Sequence, residues 1–393
     1  MNIHIDPDIE ADITQMFDKS GTPHAVVVIK QCFSIPLNDN EQPKPLAKNW
    51  SLFYEDIFVD EPGISPTLFE NDFVLKKQKC DIVVNAKAYS TQAQAKEASF
   101  LVGFRVNDCT KTAEVTSEQS KSVEKSQTEP VWLHYGSTWG GIWQTKKQEL
   151  VVFTDNPVGK GYVPKKYQDI RNGATLPEVL YPNTRSGAID PETLQPCAFS
   201  TLARNATPRL SYAGTYDDTW YNEVFPLLPT DFDERFFQCV PEDQQIPFPM
   251  GGEIVKFISL HPTKSRISFN LPTLVMPVVL KDTQANLYKP IPVVDTIQFD
   301  LEKQEFALVW RCQHPLKRSL REIEVAIIGN IDQATCEDLL DCAGGGCGAT
   351  DGEPCCGGCA EGEECKGDDT SKSEHKHSSG IQAQAVRTYD PQA

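Results

Sequence analysis

The clearest signal along the chain is the alternation of apolar and polar positions. From Ser99 to Val106, Phe100, Val102, Phe104 and Val106 recur at period two, which puts four apolar side chains on one face of a strand. Ile267, Phe269 and Leu271 alternate with Ser268 and Asn270, and Ile297, Phe299 and Leu301 with Gln298 and Asp300. The polar residues Glu302 to Glu305 then lead to Phe306-Ala307-Leu308-Val309-Trp310, and the pair reads as a hairpin. Arg321 to Ile328 repeats the pattern with Ile323, Val325 and Ile327. Two β-branched runs, Val26-Val27-Val28-Ile29 and Ile82-Val83-Val84, suit buried strands. Helices are expected to be short and few, at Asp8–Phe17, Thr219–Phe225 and Asp332–Leu340. The expected fold is therefore mainly β, a β-sandwich-like body with few short helices.

The connectors are of two kinds. Thr110 to Glu129 is polar, rich in Ser, Thr, Glu and Lys, and reads as a mobile loop or a weak hairpin. Asp155 to Pro208 is studded with Pro, Gly and aromatic residues. Irregular segments of that length inside a domain are uncommon and usually functional. Pro lowers the entropy lost on ordering, so this one is expected to be packed. After Leu340 large apolar side chains almost vanish. Residues 336–393 hold twelve Asp plus Glu, four Lys plus Arg and ten Gly, too little apolar surface to offset chain entropy. The expected organisation is an N-terminal segment at 1–20, a β-rich domain at 21–335 and a disordered or metal-organised tail at 336–393.

Charge and cysteine usage narrow the function classes. The net charge of −18 leaves no basic face for phosphate neutralisation, so nucleic acid is not the expected ligand. No apolar stretch approaches the roughly 18 residues of a membrane helix. The start, Met1-Asn2-Ile3-His4-Ile5-Asp6, lacks the layout of a secretory signal. Six cysteines are scattered through the first 335 residues and read as reduced, small hydrophobes, which points to the cytoplasm. Seven crowd between Cys336 and Cys365. Of these, Cys342, Cys347, Cys355, Cys356, Cys359 and Cys365, followed by His375 and His377, are candidate ligands for zinc or another soft metal. Only Cys356 and Cys359 have the usual zinc pair spacing, and no second pair completes a finger. The competing readings are incidental thiols and redox-active ones.

The richest polar constellation is Asp217, Asp218, Glu223, Asp231, Asp233, Glu234 and Arg235 among Tyr216, Trp220, Phe225, Phe232, Phe236 and Phe237. Three readings compete. Two carboxylates could act as an acid/base pair of a carbohydrate or peptidoglycan hydrolase. The acids could instead cap short helices, with Arg235 in an ion pair. The aromatic residues and Arg could form a binding hot spot on Pro-stiffened loops. A structural frame with partial interface use is favoured, with Trp220, Phe225, Asp231, Arg235, Phe236 and Trp139 as candidate partner-binding residues. Asn156-Pro157-Val158-Gly159-Lys160-Gly161-Tyr162 lacks the spacing of a phosphate loop, and its glycines read as turn formers with positive φ. None of the histidines sits in a recognisable Ser or Cys motif.

Several stretches together resemble one family. They are Asp81-Ile82-Val83-Val84, Asn156 to Tyr162, Leu176-Pro177-Glu178, Ala213 to Trp220, Phe225 to Phe237, Pro241 to Gln245, Gly251-Gly252-Glu253 and Val309-Trp310-Arg311. In order and spacing they are similar to the domain of unknown function family 2169 over residues 20–330. The resemblance implies a non-catalytic adaptor that loads a type VI secretion effector onto the VgrG spike or its PAAR tip. The family's basic Gly-Asp-Arg-x-Trp stretch is missing at Thr116–Lys125, and its aromatic-Gly-Gly motif takes the form Tyr135 to Gly141, so this is a divergent member.

Overall fold

The alternating and β-branched stretches become strands of three sheets, because each has an apolar face to bury. A computed structural model of the chain describes residues 1–340 except 39–40, 92–93, 95–96, 98, 117–129, 145–146, 165–176, 183–193, 332–334 and 336–338. The chain divides into two units, Met1–Gly346 and Cys347–Ala393, and the second lies wholly outside the described residues.

The strands that build the sheets start with β1 (Asn2–Ile5), β2 (Glu10–Phe17) and β3 (Pro23–Ser34). Next come β4 (Cys80–Asn85), β5 (Ser99–Val106), β6 (Cys109–Thr116), β7 (Val179–Leu180) and β8 (Gln245–Ile246). Then follow β9 (Ile254–Ile258), β10 (Arg266–Asn270), β11 (Val278–Asp282) and β12 (Leu287–Tyr288). Last are β13 (Val293–Asp300), β14 (Glu305–Pro315) and β15 (Ile323–Ile328). A six-stranded sheet runs β8-β4-β13-β14-β3-β2, a five-stranded one β7-β6-β5-β9-β10 and a four-stranded one β1-β15-β11-β12. The hairpin expected from Ile297 to Trp310 is β13–β14, with Phe299 opposite Phe306.

The first two sheets pack face to face. Phe257 of β9 meets Phe299 edge-on at 5.1 Å, and Phe269 of β10 lies 5.6 Å from Phe306. Val102, Phe104, Val255, Ile297 and Leu308 fill the same core. This is the sandwich that the alternation implies.

The six-stranded sheet is buried on its other face as well, which explains its unbroken β-branched runs. Val27 and Ile29 enter the main core, whereas Val26 and Val28 face Leu52, Leu75 and Phe237. Val83 likewise turns away from the core to meet Phe69, Cys239 and Val240. Loops around Trp50–Leu75 and Leu202–Val240 thus roof the sheet. Two short helices sit in the second roof segment, α1 (Thr207–Leu210) and α2 (Asp218–Glu223).

Three expectations need correction or restriction. The helix expected at Asp8–Phe17 is strand β2, paired along its whole length with β3. Ala11 and Ile13 turn to the main core and Met16 to the roof, so strand pairing overrides a weak helical preference. Thr110 to Thr116 belongs to β6, a regular partner of β5, while 117–129 lies outside the described residues. Of Asp332–Leu340 only Thr335, Leu339 and Leu340 are described, each helical. The expected helix at Thr219–Phe225 is α2, shifted by one residue at its start. No helix among the described residues is long and apolar enough to cross a membrane.

Candidate protein-binding site

The roof carries the candidate site, and buried ion pairs hold it down. Charges removed from water persist only when paired and hydrogen-bonded. On the roof side of the six-stranded sheet, Lys30 pairs with Asp72 at 2.5 Å and lies 3.5 Å from the centre of the Phe53 ring. Burial lowers the proton affinity of Lys30 against the opposing pull of Asp72. Arg311 donates to Asp295, and Lys77 to Asp81 at 2.7 Å and to the Thr296 hydroxyl at 2.8 Å. Burial works to lower the Lys77 pKa, but Asp81 and its neighbours hold it above the ordinary value. Asp81 also accepts from the Gln238 side chain at 2.7 Å and from the Cys239 backbone at 2.8 Å.

The second staple joins α1 to the first roof segment. The buried Arg209 donates Nη2 to Glu70 at 2.8 Å, Nε to the Phe236 carbonyl at 2.8 Å and Nη1 to the Leu202 carbonyl at 3.1 Å. Arg204 adds a bidentate pair with Asp56 and reaches Glu70 at 3.1 Å. Burial would raise the Glu70 pKa, yet the Arg204 and Arg209 guanidiniums outweigh it and hold the carboxyl down to about 2.

Residues 212–237 project from this anchored base. Asp217 caps α2 by accepting from the Trp220 backbone at 2.8 Å. Asp231 accepts from the Thr215 backbone at 3.0 Å and its hydroxyl at 2.8 Å. That closes the turn at Gly214, whose φ of +80° and 2.9 Å approach of Asp231 to a Cβ position exclude a side chain. The Trp220 indole donates to the Leu227 carbonyl at 2.9 Å, and the Phe225–Pro226 peptide is cis. Leu227 rests on the β2–β3 turn, where a methyl group at Gly21 would come within 3.2 Å.

The aromatic residues of the loop pack on one another. Trp220 meets Tyr216 edge-on at 4.7 Å and Phe225 at 5.6 Å, and Tyr221 lies 6.1 Å from Phe225. Phe225 is 59% and Tyr221 67% exposed, large apolar faces turned to solvent on a short, capped segment. Arg235 donates to Asp233 through Nε and Nη2 and stacks over the Tyr212 ring at 4.2 Å. Glu234 pairs with Lys76 at 3.0 Å.

The structure therefore separates the residues that the sequence grouped. Trp220, Phe225, Asp231 and Arg235 share the projecting loop. Phe236 is 7% exposed and packs beneath it with Ala213 and Phe232. Trp139 is 1% exposed, in a separate small core with Leu180 and Leu194. Its place among surface contacts is corrected to one in internal packing, as is that of Phe236. Of the two glycines read as turn formers, Gly161 has a φ of +90°. Gly159 instead admits close approach, since a Cβ there would fall 2.4 Å from Asn156 Nδ2.

The carboxylates serve the loop's own turns. Thr215 hydrogen bonds lower the Asp231 pKa, and those of Arg235 lower that of Asp233. A general acid at neutral pH needs the opposite shift. The cavity beneath the roof, lined by Glu70, Asp72, Lys77, Thr296, Gln298 and Arg311, measures about 10 Å³, the room of one water molecule. Cys32, Cys197 and Cys312 are buried, and burial pushes their thiols up to about 11, 11 and 12, unsuited to nucleophilic attack. Among the described residues no His, Cys, Asp and Glu group could hold a metal. Cys342, Cys347, Cys355, Cys356, Cys359 and Cys365 lie outside them.

Sequence reasoning missed Tyr221, Lys30, Glu70, Asp72 and Arg209. A signal for Lys30 exists: one cation inside an otherwise apolar run marks a buried pair. Glu70 and Arg209 are 139 residues apart, and neither carries a local pattern.

What these features define is a mainly β, two-layer sandwich whose outer sheet face is covered by an ion-paired roof. Residues 20–311 match a family described as an uncharacterized protein conserved in bacteria (DUF2169), and the chain belongs to that family. No curated protein and no solved structure matches it.

Proposed function

We propose that the protein is a non-catalytic adaptor that grips another polypeptide through the loop at 212–237. In this reading it acts in the cytoplasm, holding a type VI effector and loading it onto the VgrG spike or PAAR tip. The observation that carries the reading is the exposed Tyr221–Phe225 pair on a capped loop anchored by buried arginine. A rigid aromatic projection loses little entropy on docking, and truncating such anchors is what typically weakens an interface. The family resemblance supplies the secretion context. Trp220 buttresses the pair from behind, and Arg235, already oriented by Asp233, offers its outer edge to the partner.

The test is delivery in the bacterium that encodes the protein. Deleting the gene, or replacing it with a Tyr221→Ala/Phe225→Ala allele, is expected to abolish secretion of the one co-encoded effector while tube secretion continues. Normal effector secretion in both strains would sink the adaptor reading. A hydrolase at Asp217 to Glu234 predicts instead that Asp217→Asn/Asp231→Asn abolishes turnover of a glycan substrate and leaves partner binding intact.

A further inference from the structure

The outer face of the five-stranded sheet carries an uncompensated row of cations. On β9 the exposed residues are Ile254, Lys256 and Ile258, alternating with the buried Val255 and Phe257. Lys256 stands directly opposite Arg105 of β5, and Ile258 opposite Arg266 of β10. Like charges directly across a strand pair destabilise the sheet. Here three cations adjoin on three successive strands of a chain whose net charge is −18.

No carboxylate among the described residues pairs with Arg105, Lys256 or Arg266, and Arg105 donates instead to the Asn107 carbonyl. Glu114 of β6 is buried and accepts from the Ser99 hydroxyl. The cations of the roof, Lys30, Lys77, Arg204, Arg209 and Arg311, all meet carboxylates. The like pair of Lys256 and Arg105, both turned to solvent, would be relieved by a negative charge from outside. β10 is also an open edge, since among the described residues it pairs only with β9.

We propose that this face binds an extended acidic segment of a partner polypeptide, added along the open edge of β10. Its carboxylates would lie on the outer face beside Arg266 and Lys256, and its alternating apolar side chains on the core face beside Ile267 and Phe269. Charge on an edge strand often serves only to block aggregation, which accounts for Arg266. It does not account for Lys256 opposite Arg105, because β5 and β9 are paired on both sides. An open backbone edge is matched by another polypeptide backbone. A long polyanion, nucleic acid or an anionic bilayer, would be repelled by the acidic remainder of the molecule. This surface is distinct from the aromatic loop, so the inference stands on separate residues.

The test uses a labelled synthetic peptide alternating Glu and Val, with binding followed by fluorescence anisotropy. The wild-type protein is expected to bind it with an affinity that falls as salt rises. Lys256→Glu/Arg266→Glu is expected to bind roughly ten-fold more weakly or worse. Thermal melting of that variant controls for folding. Both sites are exposed and the change turns the like pair with Arg105 into an opposite one, so the variant should melt no lower than wild type. Tyr221→Ala/Phe225→Ala should keep full peptide affinity, which separates failure here from failure of the adaptor loop. The proposal is overturned if wild type does not bind the peptide or if the charge-reversed variant binds it equally. It is also overturned if duplex DNA or phosphatidylglycerol vesicles bind more tightly than the peptide.

Discussion

Two tryptophans sit in segments that look alike in composition and behave in opposite ways. Trp139 and Trp220 both lie in stretches rich in aromatic residues and short turns. Around Trp139 the backbone closes on itself from afar. Trp139–Gly140 pairs in parallel with Lys160–Gly161, and Asn156 donates to the carbonyls of Tyr135 and Trp139, both at 2.9 Å. Only Gly fits at 140, where a Cβ would fall 2.3 Å from the Asn156 carbonyl oxygen. The indole is sealed within this closure. Around Trp220 the contacts are local, from Tyr216 to Leu227, and no residue of α2 is buried. What decides exposure is whether distant chain arrives to cover the ring. Composition carries no record of that.

Trp139→Ala should cost about 3–5 kcal/mol in urea unfolding, with partner capture per folded molecule unchanged. A cost near zero would mean the two tryptophans do not differ as described. Acid should release the roof under Trp220 through Glu70. Its folded pKa, about 2, is depressed from 4.5, so its stabilisation is complete above the unfolded value and is lost as pH falls through the interval between them. The loss is on the order of 3 kcal/mol. Denaturant midpoints measured from about pH 6 down to about pH 2.5 should therefore fall less steeply in Glu70→Gln than in wild type. A parallel fall in both would remove Glu70 as the anchor.

Smaller effects sharpen the same contrast. Asn156→Ala leaves two buried carbonyls without their donor and should cost about 1–3 kcal/mol, again by urea titration. Tyr221→Ala/Phe225→Ala should stay within about 0.5 kcal/mol of wild-type stability. The same variant should weaken partner binding by roughly ten-fold or more in an isothermal titration with the co-encoded effector. A large stability loss in it would place the exposed rings in the core.

Much of the sandwich is legible in the residues themselves. The alternation in 99–106 and 267–271 reappears as β5 and β10, and the hairpin from 297 to 310 as β13–β14, because period two and a polar turn are local properties. β2 was illegible for the complementary reason. Its residues form a strand only because β3 presents an edge to pair with, and an isolated reading of Asp8–Phe17 does not contain that edge. In the candidate site, the caps at Asp217 and Asp233 and the pairing of Arg235 follow from short-range pattern. The Arg209–Glu70 staple beneath them and the cation row at Arg105, Lys256 and Arg266 do not, since each joins elements far apart in the chain.

By itself the sequence determined the β class, the strand periodicity, the acidic character and the position of the capped aromatic loop. Each depends on neighbours within a few residues, where side-chain direction is set by the backbone. Tertiary structure alone decided which aromatic rings face water, which charges lie buried in pairs and which cations share one sheet face. Those outcomes depend on which distant segments meet, and burial and pairing energies exist only once they do.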